Sequence, residues 1–342
     1  MGLVYKQKLM SCEELKDAYP VTSKCRETKA ARDRQIEQVL TGESDKFLVI
    51  IGPCSADRED AVRDYATRVA RVQEKVADRL ILVPRIFTSK PRTTGKGYKG
   101  IVHGPDPHGP SDLQAGLVAA RRLHLQVLTE TGMTGADELL YIDGWPYIED
   151  LVSYAVVGAR SVENQQYRLT ISGLECTVGF KNPTSGNLSV MLDSCVAAQS
   201  GHGFLYQGYE VLSAGNPLAH CVLRGGVNGY GQFMPNYHYE DLMRVLEMYE
   251  QRSLSNPAVI VDVNHANSGK IYSEQPRIAK EVLYSRLISR DVRQLVKGLM
   301  IESYIESGNQ DVHGGVYGKS ITDPCLGWKE SEHLIYAIAE YI

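Results

Sequence analysis

Four residues of this 342-residue chain, Cys54, His265, Glu302 and Asp323, offer a thiol, an imidazole and two carboxylates. One thiolate among harder oxygen donors suits a borderline divalent ion such as Mn, Fe, Co or Zn rather than Mg or Ca. No local metal motif joins them, so they make a site only if the fold gathers them, and Cys54 alone reads equally as a core residue. A second set, Arg85, Lys90, Arg92, Arg160, Lys181 and Arg224, is cationic. If these point to one place, the ligand must carry several negative charges, since guanidinium grips phosphate and carboxylate bidentately and lysine adds a compact charge. Phosphorylated small acids or sugars fit that demand. The run Lys90-Pro91-Arg92-Thr93-Thr94-Gly95 places two cations around a rigid proline, then two hydroxyls and a glycine. Such a loop can grip a phosphate through side chains and backbone N–H groups, although a basic surface turn is the plainer reading. Gly95-Lys96-Gly97 lacks the spacing of a nucleotide-binding P-loop.

The elements that must position these residues repeat as a short β-branched apolar run followed by an amphipathic helical stretch, the pattern of parallel βα units. Eight strands are expected, at Phe47–Gly52, Leu80–Phe87, Thr134–Leu139, Ala155–Arg160, Thr177–Lys181, Ala219–Arg224, Ala258–Val263 and Leu299–Tyr304. Their C-terminal ends carry Cys54, Arg85, Glu138, Arg160, Lys181, Arg224, His265 and Glu302. Eight such units predict an α/β fold, a closed (β/α)8 TIM barrel, in which side chains at the strand ends converge on one mouth. An open doubly wound sheet is the alternative, weakened because no glycine-rich dinucleotide fingerprint follows the first strand. Gly116 to Thr131 keeps a helical period and closes at Gly132, so it reads as a helix. Residues 1–45, with helical stretches at Cys12–Ala18 and Lys24–Leu40, form an N-terminal extension to a catalytic barrel over 46–342. The apolar run Phe204–Tyr209, before Gly215-Asn216-Pro217, belongs to a β-hairpin insertion near 200–217.

Composition sets the outer limits. With 43% hydrophobic and 23% charged residues the chain can bury a large core without disulfides. Net charge is −4 with no block of like charge, which argues against a nucleic-acid or membrane-surface partner. Met1 to Lys8 lacks a signal-peptide core and no apolar run approaches the roughly 20 residues needed to span a bilayer, so a cytoplasmic protein is expected. Seven cysteines without a CxxC argue against a disulfide framework or zinc ribbon, and most read as small buried hydrophobes.

Seven segments together make the chain resemble type I 3-deoxy-D-arabino-heptulosonate 7-phosphate (DAHP) synthases, alpha subgroup. They are Phe47–Ser55, Lys90–Thr94, Gly158-Ala159-Arg160 with Glu163-Asn164-Gln165, Gly179–Asn182, Leu223–Gly226, Asp262–Ser268 and Tyr317–Asp323. The likeness runs in order from about residue 30 to the C-terminus. It implies a condensation of phosphoenolpyruvate with erythrose 4-phosphate, with Cys54, His265, Glu302 and Asp323 as ligands of a divalent metal. Arg85, Lys90, Arg160, Lys181 and Arg224 would bind phosphoenolpyruvate, and Lys90, Pro91, Arg92 and Thr93 the erythrose 4-phosphate. Lys90, Cys54 and His265 would then stand at the catalytic centre. The resemblance also implies a homodimer or homotetramer and an aromatic amino-acid feedback inhibitor, with the extension and the hairpin as the regions of assembly and control.

The related octulosonate 8-phosphate synthases, which use arabinose 5-phosphate, typically read Lys-Ala-Asn-Arg-Thr-Ser in the corresponding loop; here Pro91 and Arg92 follow Lys90 directly. Two positions depart from the family pattern: Tyr167 stands where His is frequent and Tyr209 where Trp is. A barrel that kept binding but lost turnover would show its loss first at Tyr167. An isomerase or aldolase on a metal-bearing barrel would leave the second phosphate-gripping loop without a purpose.

Overall fold

The computed structural model describes residues 2–342. Eight parallel strands, β1 (Phe47–Gly52), β2 (Leu80–Pro84), β3 (Gly135–Glu138), β4 (Val152–Val157), β5 (Thr177–Lys181), β6 (Ala219–Leu223), β7 (Val259–Asp262) and β8 (Val296–Glu302), form one sheet in the order β2-β1-β8-β7-β6-β5-β4-β3. The sheet curls until Arg85, just past β2, bridges Ala136 of β3 in parallel, with Ile86 N–H donating to the Ala136 carbonyl at 2.8 Å. The expected barrel is therefore the fold. Its strands are apolar on both faces because both are covered. In β1, Leu48 and Ile50 join Ile81, Val83, Tyr154, Val222, Ile260 and Met300 inside the barrel, while Phe47, Val49 and Ile51 pack outward against the helical layer.

Ten helices flank or extend the barrel: α1 (Cys12–Ala18), α2 (Ser23–Thr41), α3 (Glu59–Val76), α4 (Leu113–Thr131), α5 (Gln165–Ile171), α6 (Leu188–Gln199), α7 (Tyr239–Gln251), α8 (Gln275–Ile288), α9 (Arg290–Leu295) and α10 (Trp328–Tyr341). The capping chemistry explains several boundaries. Thr22 accepts from Cys25 N–H to start α2, and Gly42 ends it at φ 81°; Asp112 starts α4 and Gly132 ends it at φ 67°. Ile36, Val39 and Leu40 of α2 enter the barrel-interior cluster, so this helix closes the end from which the strands start.

The boundaries differ from expectation in four places. β4 runs Val152–Val157 rather than Ala155–Arg160, which puts Arg160 on the following loop. β2 ends at Pro84, leaving Arg85 as an isolated bridge. The third unit has a 3₁₀ segment, Ile142–Tyr147 with Pro146 inside it, in place of a full helix. The run Phe204–Tyr209 is broken in its middle: Gly203–Tyr206 and Tyr209–Leu212 pair antiparallel around Gln207 (φ 50°) and Gly208 (φ 82°). Two successive positive φ angles make the type I′ turn that matches strand twist, so the hairpin is present but turns earlier than the apolar pattern suggests.

All seven cysteines are free thiols and six are buried. Among the described residues, no helix is long and apolar enough to cross a membrane.

Candidate active site

The C-terminal strand ends bring the sulfur and carboxylate donors together. Single ligand atoms of Cys54, Glu302 and Asp323 lie within 4.8 Å of one another, a span that one ion bonded at roughly 2.0–2.3 Å to each could bridge. Glu302 closes β8 and is fixed on four sides. Arg85 Nη2 donates to its Oε1 at 3.0 Å and Asn264 Nδ2 to its Oε2 at 2.6 Å. Gln275 meanwhile bonds both its N–H and its carbonyl, each at 2.9 Å. Cys54 lies just past β1, its Sγ 3.2 Å from Asp323 Oδ2. Lys90 binds both, Nζ at 2.6 Å from the sulfur and 3.1 Å from the Asp323 carboxylate. His265 stands at the edge of this group, Nε2 3.7 Å from Glu302 Oε1. Its backbone is left-handed, φ 53°, a conformation that non-glycine residues adopt sparingly and that recurs at functional sites.

A buried carboxylate that the sequence reading did not single out, Asp262, links the donor group to the cations. Its Oδ2 lies 2.8 Å from Lys181 Nζ and 2.8 Å from His265 Nδ1, the latter an ion-pair distance not aligned as a hydrogen bond. A carboxylate beside one imidazole nitrogen orients the ring and leaves the other free for a ligand.

The cations differ in how they are held. Arg85 is 1% exposed, spans the face of Phe87 at 4.0 Å, and keeps its Nε and Nη1 without a protein partner. Two buried charged donors left open call for an anion to receive them. Lys181 and Arg224 are also buried, the latter with its N–H bonded to Asn182 Oδ1 at 2.9 Å. Arg160 is exposed on its loop and donates through Nε to Thr93 Oγ1 at 2.8 Å, joining the β4 loop to the Lys90–Gly95 loop. Arg92 is engaged within that loop, Nε to the Tyr98 carbonyl at 2.7 Å, and Pro91 sits between it and Lys90.

Electrostatics follow from this packing. Burial works against the Lys90 charge, but Cys54, Asp323 and Glu302 outweigh it and hold the ammonium above the ordinary lysine range. Lys90, with help from His265, overcomes burial to keep Asp323 well below the usual carboxylate range. Burial, then Glu302, pushes the Cys54 thiol up to about 12. A divalent cation among these groups reverses that sign, because a coordinating thiol is deprotonated outright. Burial lowers the His265 pKa, so its imidazole is neutral and able to ligate. Glu138, at the end of β3, is raised by burial. Its Oε1 packs so tightly over Gly158 that a β-carbon there would stand 2.1 Å away.

Cys54, Arg85, Glu138, Lys181, Arg224, His265 and Glu302 lie within three residues of a strand end, Asp323 lies on the long segment between β8 and α10, and Arg160 and the Lys90–Gly95 loop are on the rim. Asp262, Asn264 and Gln275 were missed. The first two lie inside the segment Asp262–Ser268, three residues and one residue before His265; Gln275 carries no sequence signal beyond its place at the start of α8.

Residues 20–335 match the model of the DAHP synthetase I family. The chain belongs to this family. Curated relatives agree along nearly the whole length. The Trp-sensitive phospho-2-dehydro-3-deoxyheptonate aldolase of Enterobacter agglomerans is 38% identical, over 98% of this chain and 95% of that protein. The Trp-sensitive enzyme of Escherichia coli strain K12 is 36% identical over the same shares. Among solved structures, the phospho-2-dehydro-3-deoxyheptonate aldolase of Francisella tularensis SCHU S4 superposes with a TM-score of 0.93 at 29% identity, covering 100% of this chain and 98% of that one.

Proposed function

We propose that this chain is a 3-deoxy-7-phosphoheptulonate synthase, which condenses phosphoenolpyruvate, erythrose 4-phosphate and water to DAHP and phosphate, the first step of the shikimate pathway. The observation that carries the reading is the juxtaposition of an unsatisfied, buried Arg85 with a thiol–carboxylate group that fits a divalent ion. Arg85, Lys90, Lys181, Arg224 and Arg160 hold the phosphate and carboxylate of phosphoenolpyruvate. Lys90, Pro91, Arg92 and Thr93 take erythrose 4-phosphate, whose phosphate faces Arg92 and Thr93 on the rim. The sugar aldehyde then lies against C3 of the enol; C3 attacks it, water adds at C2, and phosphate leaves by C–O cleavage. Fixing two anions side by side is a positioning effect of several kcal/mol. Cys54, His265, Glu302 and Asp323 would hold a divalent metal (Mn, Fe, Co or Zn), which would supply Lewis-acid polarisation. Lys90, in contact with both Cys54 and Asp323, ties the substrate cations to the metal ligands.

The protein works in the cytoplasm as a homodimer or homotetramer under feedback control. The extension and the hairpin carry that control: Tyr147 hydroxyl bonds the Met10 carbonyl at 2.7 Å and Lys16 pairs with Glu149, so the N-terminus is docked on the 3₁₀ segment of the third unit. Tryptophan is the first inhibitor to try, given the relatives.

The test is loss of phosphoenolpyruvate with erythrose 4-phosphate or arabinose 5-phosphate in parallel, with chelated and Mn-reloaded protein. Turnover with the four-carbon sugar alone, lost on chelation and restored by metal, is expected. Turnover only with arabinose 5-phosphate would reassign the substrate, and binding without turnover would make the chain a non-catalytic relative.

A further inference from the structure

A cavity of about 1170 Å³ lies at the other end of the barrel from the mouth. It opens where the strands begin, between the end of α2 (Leu40 to Gly42), the segments leading into β1, β7 and β8, and helices α7 to α9. Five cations line it: Lys46, Arg286, Arg290, Arg293 and Lys297. So do four acids, Asp45, Glu247, Glu250 and Asp291, all exposed. Arg286 is only 9% exposed and Lys297 half-buried, whereas Arg290, Arg293 and the four acidic side chains are exposed, and Ile342 at the C-terminus also lines the cavity.

Arg286 is the informative residue. Among the described residues it forms no ion pair, its Nε is buried without a partner, and the ring of Phe47 lies 4.3 Å from its guanidinium. Lys297, Arg290 and Arg293 likewise have no carboxylate within ion-pair distance. Arg293 donates through Nε to the backbone carbonyl of Arg286 at 3.4 Å, so the α9 arginine is held against the end of α8. A buried guanidinium beside further cations, with the acids held outside, is costly unless an anion completes it. Burial first, then Arg293, lowers Arg286 to about 10, and burial and Arg286 lower Lys297; Asp45 opposes both shifts without reversing them. A cation–π contact offsets only part of that cost.

We infer that this cavity is a second anion site, which takes a small phosphate-bearing molecule between Arg286, Arg293 and Lys297. It is separate from the catalytic mouth. Lys297 and Glu302 lie five residues apart on β8, roughly 17 Å along the strand. The extension contributes to it through the C-terminal turn of α2, where a β-carbon on Gly42 would come 3.5 Å from Lys297 Nζ. Partial negative charge at that helix end helps hold the lysine in place.

The probe is inorganic phosphate, titrated calorimetrically into the full chain. Because the mouth also binds phosphate groups, an Arg160→Ala, Arg224→Ala background weakens that end. In this background phosphate should still bind, and Lys297→Met or Arg293→Gln should weaken the remaining binding at least about tenfold. Arg293 is exposed, so its substitution tests the site even if the half-buried lysine variant folds poorly. A thermal melt gives an independent reading. Without phosphate, Lys297→Met should melt at or above the parent temperature, because it removes an unpaired, partly buried charge; with phosphate the parent should gain stability and the variant should not. Unchanged phosphate affinity in both Lys297→Met and Arg293→Gln, or loss of all phosphate binding in the mouth background alone, would overturn the inference. Turnover in the condensation assay has no bearing on either outcome.

Discussion

Replacing Arg85 with methionine should destabilise the metal-free protein sharply, and the reason can be isolated. Arg85 and Glu302 are each 1% exposed and 3.0 Å apart, so the substitution leaves a carboxylate buried without its guanidinium. Removing one partner of such a pair costs about 3–5 kcal/mol. For a chain of 342 residues that corresponds to a fall of about 4–7 °C in melting temperature. Asn264 still donates to the stranded carboxylate, which favours the lower half of this range. The double variant Arg85→Met, Glu302→Gln removes both charges and should recover most of the loss, a coupling of about 2 kcal/mol or more. Urea unfolding of chelated wild type, both single variants and the double variant measures the cycle. A second titration, of phosphoenolpyruvate into the Arg85→Met protein, should show affinity weakened at least about tenfold, because two buried charged donors are gone. Adding Mn should shrink the stability penalty of Arg85→Met, since the ion then compensates Glu302. Additive single effects, with coupling below about 0.5 kcal/mol, would refute the argument that the two charges stabilise each other.

Three further perturbations probe other parts of the site. Burial raises Asp57 to about 6, against a usual carboxylate value of about 3.9. The folded protein therefore holds this proton more tightly, and the contribution of Asp57 to stability is fully present below about pH 4 and is lost as pH rises through 6; Asp57→Asn should stabilise by on the order of 3 kcal/mol above pH 7 relative to its effect at pH 4, read from urea midpoints of both proteins at pH 4 and 7.5. Gly158→Ala forces Glu138 and the loop to Arg160 apart and should lower kcat/KM by at least about tenfold while the protein stays folded by circular dichroism; an unaffected kcat/KM would show that this contact does not set the mouth. Tyr167 spends its hydroxyl on the Leu140 carbonyl, so Tyr167→Phe should cost about 1 kcal/mol of stability and change kcat less than about twofold; a tenfold fall would give the hydroxyl a part in turnover.

The barrel was legible because burial on both faces leaves continuous apolar strands and because α2 and α4 end on the turn glycines Gly42 and Gly132. All eight strands were expected within a few residues. The errors fell where tertiary contacts crowd the boundary: β4 stops at Val157, and the next residue, Gly158, lies so close under the Glu138 carboxylate that no side chain would fit there. The charged strand ends were visible as single residues, but their partners were not. Asp262 reads as the last residue of a strand, and only the fold shows one carboxylate between Lys181 and His265. The cation cluster around Arg286 was invisible for the same reason, being assembled from a helix, a strand start and the extension.

The placement of α2 changes how this chain can be divided. Ile36, Val39 and Leu40 share one apolar cluster with Leu48, Ile50, Ile260 and Met300 from three different strands. A truncated protein beginning at residue 46 would open the barrel's interior layer to water at its lower end, and such a fragment would aggregate before it could be assayed. Any swap of regulatory regions between relatives must therefore exchange the helix together with the side chains it seats against. The extension and the barrel interior therefore have to change together.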